Sequence, residues 1–242
     1  MDSIPESGPA LSWATIEAAV GQAGLTPRGA IAYDRPPDPA EGLAAETRWL
    51  LLLGAVGGSI WPTFSAAPEV RDGAANPLDR WSRRVIEGLA GELGAAPLFP
   101  FGGPPFLPFQ RWAKLAEGLQ SSPLGLLIHP RHGLWHAYRG ALAFGAVPDD
   151  WQPEAAPAVS PCESCETRPC LSACPVSAFS STGYDVAACQ GHLRSDAGQP
   201  CMTGSCLARR ACPVAADLAY SPAQMGFHMQ AFRGANEPKV RE

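Results

Sequence analysis

All eight cysteines of the chain fall between Cys162 and Cys212, and the first 161 residues contain none. They read C-x2-C-x4-C-x3-C-P (Cys162, Cys165, Cys170, Cys174, Pro175), then an isolated Cys189, then C-x4-C-x5-C-P (Cys201, Cys206, Cys212, Pro213). A framework of this density dictates the fold of the segment that carries it, because whatever joins the sulfurs fixes where the backbone turns. Three kinds of joint compete. Disulfides belong to secreted chains, and the opening residues MDSIPESGPA carry acid in place of the basic start and apolar run of a signal peptide. Zinc also takes four cysteines, usually from paired C-x2-C knuckles. Here one C-x2-C is present, and zinc gives no reason for proline after two of the cysteines.

Iron–sulfur clusters account for both the number and the prolines. Eight thiolates suit two four-iron clusters, and in two-cluster ferredoxin modules the cysteine before proline ligates the other cluster. Proline withholds an N–H and turns the chain away. The spacing therefore predicts crossed sets: Cys162, Cys165, Cys170 and Cys212 on one [4Fe-4S] cluster, and Cys174, Cys189, Cys201 and Cys206 on the other. Adjacent clusters form a path for single electrons.

Composition bounds the remainder. Hydrophobic residues make up 46% and charged residues 17% of 242, which is globular, and no apolar run approaches the ~20 residues of a membrane-spanning helix. The formal charge of −5 gives no electrostatic case for nucleic acid. Two loaded clusters would bring it to roughly −9, which suits a basic electron donor. These features predict a cytoplasmic protein with no membrane or nucleic-acid partner.

The cysteine boundary divides the chain into residues 1–150, a Pro-rich linker over 151–161, and a two-cluster ferredoxin-like module over 162–242. In the first part, Ser12 caps a helix with Trp13, Ile16, Val20 and Ala23 inward, closed by Gly24. Residues 26–33 and 47–56 read as strands, the second almost wholly apolar and so central in its sheet. Asn76 and Pro77 open a helix whose inner face is Leu78, Trp81, Val85, Ile86, Leu89 and Leu93, ended by Gly94. A short strand over 96–101, a helix after Pro108 and strands over 124–130 and 134–144 complete an α+β domain. The glycines of AVGGSIWP make a strand-end turn, since no phosphate-loop Lys-Ser/Thr follows. After the cysteines, Ser221, Pro222 and Gln224 start a last helix carrying Met225, Phe227, His228, Met229 and Phe232, which read as core.

The order of the eight cysteines, with Cys189 on a helix after Asp185, resembles the C-terminal module of epoxyqueuosine reductase and the reductive dehalogenases. The likeness covers roughly Pro161 to Asp217. It departs in having four residues, not two, between Cys165 and Cys170 and again between Cys201 and Cys206. Ile128 to Gly145 resembles the cobalamin-processing C protein (CblC) family at His129, Pro130, Arg131, Gly133, Trp135, Ala137, Arg139 and Gly140. The upstream Pro108–Trp112 is similar to that family's aromatic and Gln-Arg residues. The first resemblance implies two [4Fe-4S] clusters coupled to a cobalamin. The second implies a modified nitroreductase-like fold and a corrinoid pocket lined by His129, Trp135 and Arg139. Arg139 would hold a cofactor phosphate or an acidic side chain. Strand alternation expects Trp135 and Arg139 on one face. The three histidines His129, His132 and His136 read as polar lining or surface in preference to a metal site.

Together these imply an iron–sulfur oxidoreductase that passes single electrons from a flavodoxin, ferredoxin or reductase to a corrinoid, for cobalt reduction or removal of its upper ligand. The alternative is a ferredoxin-type carrier with no cofactor in the N-terminal domain.

Overall fold

The computed structural model describes residues 12–153, 159–180 and 183–235. The N-terminal residues read above for a leader, and residues 154–158 of the expected linker, lie outside them. The chain divides by contacts into two units. One takes residues up to 118 and 136–158, the other 119–135 and 159 onward.

The first unit is α+β. Helix α1 (Trp13–Gln22) is capped by the Ser12 side chain, which accepts from the Thr15 N–H, and it buries Ile16 and Val20. A four-stranded antiparallel sheet follows in the order β1 (Thr26–Ala32), β2 (Trp49–Val56), β4 (His136–Phe144), β3 (Ala96–Leu98). The unbroken apolar run places β2 inside the sheet, and Trp49 through Leu53 are fully buried. Helix α2 (Pro77–Leu93) buries Trp81, Ile86, Leu89 and Leu93 at helical spacing. It stops where Gly94 takes the left-handed conformation, at φ 64°. Helix α3 (Phe109–Glu117) buries Phe109, Trp112 and Ala113.

Two bulges break the sheet at one end. In β1 the register against β2 shifts between Pro27 and Ala30, so Arg28 and Gly29 share one opposing residue. In β4, Leu53 pairs with Gly140 and the next residue, Gly54, pairs with Tyr138, so Arg139 has no partner across the ladder. Bulges re-aim side chains, and each of these carries an arginine. Gly54 is required here, because a Cβ would overlap the Ala137 carbonyl oxygen.

All five expected strands come out shorter, β1 and β2 by one and two residues. The one over 124–130 reduces to Leu127–Ile128, paired with Gln120–Ser121. It stops because His129 and Gly133 exchange reciprocal N–H···O bonds of 2.9 and 2.8 Å, closing a tight turn. The Trp135 N–H then donates to the His132 carbonyl, so β4 begins at His136 and not at Leu134. The strand expected over 96–101 ends at Leu98.

In the second unit, short elements alternate with turns. A hairpin of β5 (Phe179–Ser180) and β6 (Gly183–Tyr184) precedes α4 (Val186–Leu193), α5 (Gln199–Gly204), α6 (Leu207–Arg210) and α7 (Pro222–Ala235). No helix among the described residues is long and apolar enough to cross a membrane. The boundary differs from one drawn at the cysteines: residues 119–135 pack with the cysteine segment, before the chain returns to the first unit as β4.

Replacing Gly54 with Ala should lower stability by about 1–3 kcal/mol through overpacking in the central strand. Gly88→Ala, on the exposed face of α2 with nothing within 4 Å of its Cβ, should raise it by about 0.5–1 kcal/mol. Chemical denaturation of the two variants checks the pair.

Candidate metal centre

Backbone strain marks the cysteine segment. Five described non-glycine residues have positive φ: Asn76, Arg168, Ser177, Ser205 and Ala215. The last four lie within three residues of Cys170, Cys174, Cys206 and Cys212 respectively. Non-glycine residues in this region are held there only when surrounding structure over-determines them, and here each bends the chain beside a thiol. Cys170 rides the helical turn Pro169–Ser172, Cys189 sits on α4, Cys201 on α5, and Cys206 precedes α6.

These turns gather the thiols into two groups. One buried apolar cluster contains Leu124, Ile128, Leu134, Ala208 and Cys212, with Cys162 and Cys170 packed against it. A second contains Leu193, Cys201, Met202 and Met229, with Cys189 packed against it. Electrostatics sorts them further. Burial first pushes the Cys162 thiol above its ordinary value, and charges on Cys212, Cys170 and Cys165 add to this against a hydrogen bond from Ser160. Burial likewise raises Cys170, with Cys212 and Cys165 as its charged neighbours. Cys201 is raised by burial and then by Cys189 and Cys174, and Cys206 by burial and then by Cys189 and Cys201. Packing alone also sets Cys174 and Cys206 at the margin of the first cluster. The charged neighbours of Cys162 and Cys170 include Cys212 and Cys165, and those of Cys201 and Cys206 include Cys189, and Coulomb interaction falls with distance.

The donor set fits an iron–sulfur core. Burial and neighbouring charge favour the protonated form of Cys162, Cys170, Cys201 and Cys206, and a cationic metal core reverses that by deprotonating its ligands. Backbone N–H groups aim at the sulfurs: Ala178 donates to Cys174 Sγ at 3.3 Å, Leu207 to Cys201, and Ala208 and Arg209 to Cys206. Hydrogen bonds of this kind stabilise thiolate ligands. Among the described residues no three His, Cys, Asp or Glu are placed to share one metal ion. A four-iron core takes each thiolate on a separate iron, which spreads the sulfurs.

Residues 119–135 back this centre. A Cβ on Gly133, whose φ is +54°, would overlap the Val214 carbonyl oxygen two residues beyond Cys212. Arg209, midway between Cys206 and Cys212, donates to the Leu134 carbonyl from Nε at 3.2 Å and Nη2 at 2.6 Å. Its guanidinium lies 4.4 Å from the Trp135 ring centre and 4.7 Å from that of Tyr220. Sequence reasoning passed over this arginine.

The three residues expected to line a pocket have other neighbours. Trp135 is buried against Tyr220 and Met225, and its indole N–H has no hydrogen-bond partner among the described residues. His129 Nδ1 accepts from the N–H groups of Arg131 and His132, and its ring stacks on His132 at 4.0 Å. Arg139 donates to Ser82 Oγ at 2.9 Å, pairs with Asp79 and lies over Phe101. Alternation does not relate Trp135 to Arg139, since Trp135 precedes the strand and Arg139 occupies the β4 bulge. Trp135 and His129 belong to the second unit, and Arg139 to the first.

The first unit holds a buried polar network that sequence reasoning missed. Arg28, its side chain 1% exposed, pairs with Glu117 at 3.1 Å and lies 5.5 Å from the Tyr138 ring centre. Tyr138 donates its hydroxyl to Glu117. Burial, and then the charge on Glu117, push that hydroxyl well above its ordinary range. Arginine donates only, so His136 Nδ1, 3.5 Å from Arg28 Nη2, accepts.

Neither a known family nor a curated protein matches the sequence. Solved structures do match. A selenomethionine-labelled epoxyqueuosine reductase aligns with a TM-score of 0.52 at 14% identity, over 85% of this chain and 66% of that one. This chain shares that reductase's fold. It spans just under two thirds of the reductase's length. A C. elegans B12-trafficking protein, CblC, aligns with a TM-score of 0.48 at 13% identity, over 95% of this chain and 98% of that one. Epoxyqueuosine reductase from Streptococcus thermophilus gives 0.47 at 13%, over 83% and 65%. Both relationships expected from the motifs are thus among the structural neighbours.

Glu117→Gln leaves Arg28 a buried cation without its counter-charge and should cost about 3 kcal/mol. Arg28→Met combined with Glu117→Gln should recover most of that loss, and urea unfolding of the single and double variants measures it.

Proposed function

We propose that the chain is an iron–sulfur oxidoreductase. Cys162, Cys165, Cys170 and Cys212 hold one [4Fe-4S] cluster, and Cys174, Cys189, Cys201 and Cys206 hold a second. The observation that carries the reading is that Cys162 and Cys170 have Cys212 and Cys165 as charged neighbours while Cys201 and Cys206 have Cys189, which supports the crossed groups expected from the Cys-Pro endings. The clusters, when bound, supply one-electron carriers at low polarity. The chain's own residues exclude water with Leu124, Ile128, Leu134 and Ala208 on one side and Leu193, Met202 and Met229 on the other. They aim N–H groups at the sulfurs, and Arg209 ties the Cys206–Cys212 segment to residues 119–135. The electrons come from a flavodoxin, ferredoxin or reductase and go to a corrinoid or similar large cofactor. The resemblance of Ile128 to Gly145 to the cobalamin-processing C protein family, and of the cysteine order to epoxyqueuosine reductase, supports that destination.

The second reading, an electron carrier with no cofactor in the first unit, is favoured by particular observations. Arg139 is committed to Asp79 and Ser82, and Trp135 to Tyr220 and Met225. Of the cavities in the first unit, one of about 620 Å³ is lined by Tyr33, Arg35, Glu41 and Arg111. Another of about 600 Å³ lies along α1 and α2. Neither is lined by His129, Trp135 or Arg139.

Anaerobically reconstituted protein should carry about eight irons per chain. Stoichiometric zinc with little iron would overturn the reading. Cys212→Ala should lose about half the iron, from the cluster shared with Cys162, Cys165 and Cys170. Loss confined to the cluster of Cys201 and Cys206 would refute the crossed sets. Titration with several cobalamins, followed by absorbance, separates the two readings. A shifted corrinoid spectrum that weakens in Arg139→Ala supports the corrinoid enzyme, and unchanged spectra throughout support the carrier.

A further inference from the structure

Helices α5 and α7 leave an open groove of about 520 Å³ between them, beside Cys201. Met202 forms its floor, and the same side chain packs in the buried cluster of Cys201, with Cys189 against it. The helices touch at Gly226, where a Cβ would lie 3.8 Å from the Met202 carbonyl oxygen. On the α7 side the lining is small or apolar at Ala223, Gly226 and the half-buried Phe227.

The charge of this groove is one-sided. No acid lines it, and Arg233 does. That arginine is half-buried and makes no ion pair among the described residues. Thr203 also lines the groove, and beside it the Arg210 guanidinium lies 2.7 Å from where a Cβ on Gly204 would stand. Arg210 likewise has no acidic partner among the described residues. The acid just before α5, Asp196, gives its carbonyl to the Gln199 N–H and does not line the groove. The chain as a whole carries −5, so the sign here is locally reversed.

Resting on the cluster reading above, we propose that this groove is where an acidic one-electron carrier protein docks and delivers its electron to the cluster held by Cys174, Cys189, Cys201 and Cys206. Electron transfer weakens steeply with distance, and a carrier seated on Met202 rests against the packing of Cys201 and Cys189. In the step the carrier loses one electron and the cluster gains one; no bond forms or breaks and no proton moves. An apolar floor with charge at its rim is the anatomy of a protein contact. Opposite charge on the partner speeds encounter and makes it sensitive to salt.

The full reconstituted chain is mixed anaerobically with flavodoxin hydroquinone, an acidic carrier, and cluster reduction is followed by stopped-flow absorbance. Dithionite, a small reductant that needs no docking, is the control. The rate constant with flavodoxin should fall as salt rises. Arg233→Glu should lower it about tenfold at low salt. Ala223→Trp, which fills the groove, should lower it at every salt concentration. Dithionite reduction, iron content and circular dichroism should be unchanged in both variants. A flavodoxin rate that neither variant alters, or one that rises with salt, would overturn the docking site while leaving the clusters intact. So would a wild-type dimer in sedimentation that Ala223→Trp makes monomeric, because a second copy would then fill the groove. A wild-type chain that takes up zinc and no iron overturns the cluster reading itself, and is seen before any carrier is added.

Discussion

Mutual crowding of buried and half-buried thiols is the constraint on which the second unit depends. Cys162, Cys170, Cys201 and Cys206 sit where the anion is disfavoured twice over, by burial and by the neighbouring sulfurs. Such an arrangement is stable as neutral thiols or as thiolates around a compensating cation. It gains nothing from the intermediate states. The rest of the unit follows from holding this geometry: strained residues turn the backbone, α4, α5 and α6 are short, and the apolar residues form patches around sulfur. The hydrophobic effect covers the centre, and the sulfurs organise it.

The first unit answers to a different constraint. Its sheet is stabilised by burial of Trp49 through Leu53 and by α2. At one end regular pairing gives way to two bulges, and there the charges go inside. Arg28 enters a buried environment with Glu117 as its counter-charge, and Tyr138 completes the pair's hydrogen bonding. Buried pairs of this kind add little net stability, because desolvation offsets their attraction, but they penalise any arrangement that separates them. The pair therefore specifies how α3 lies against β1.

What the sequence made legible follows from how local each signal is. Helix α2 was readable because its spacing, Pro77 and Gly94 are all within one element. The place of β2 inside the sheet was readable because an all-apolar strand has no face for water. By contrast, Arg28 and Glu117 are 89 residues apart, and nothing in either segment names the other. A bulge adds one residue without changing composition, so Arg139 looked like part of an unbroken alternation. That residues 119–135 pack with the cysteine segment is not announced by the sequence, because their apolar residues suit any core, and only the partner, here Ala208 and Cys212, distinguishes one from another.

That excursion has a consequence for the order in which the protein is made. During synthesis the first unit can complete its sheet once β4 has emerged, near Phe144. Leu124, Ile128, Leu134 and Trp135 have emerged by then too, but the residues that cover them, among them Ala208, Cys212 and Tyr220, are still some seventy positions from existing. The nascent chain thus carries an apolar loop pinned at both ends to a folded sheet, waiting on the ribosome. A premature stop within the cysteine segment would leave this loop permanently bare, making truncated products sticky where truncation at a true domain boundary would leave them inert.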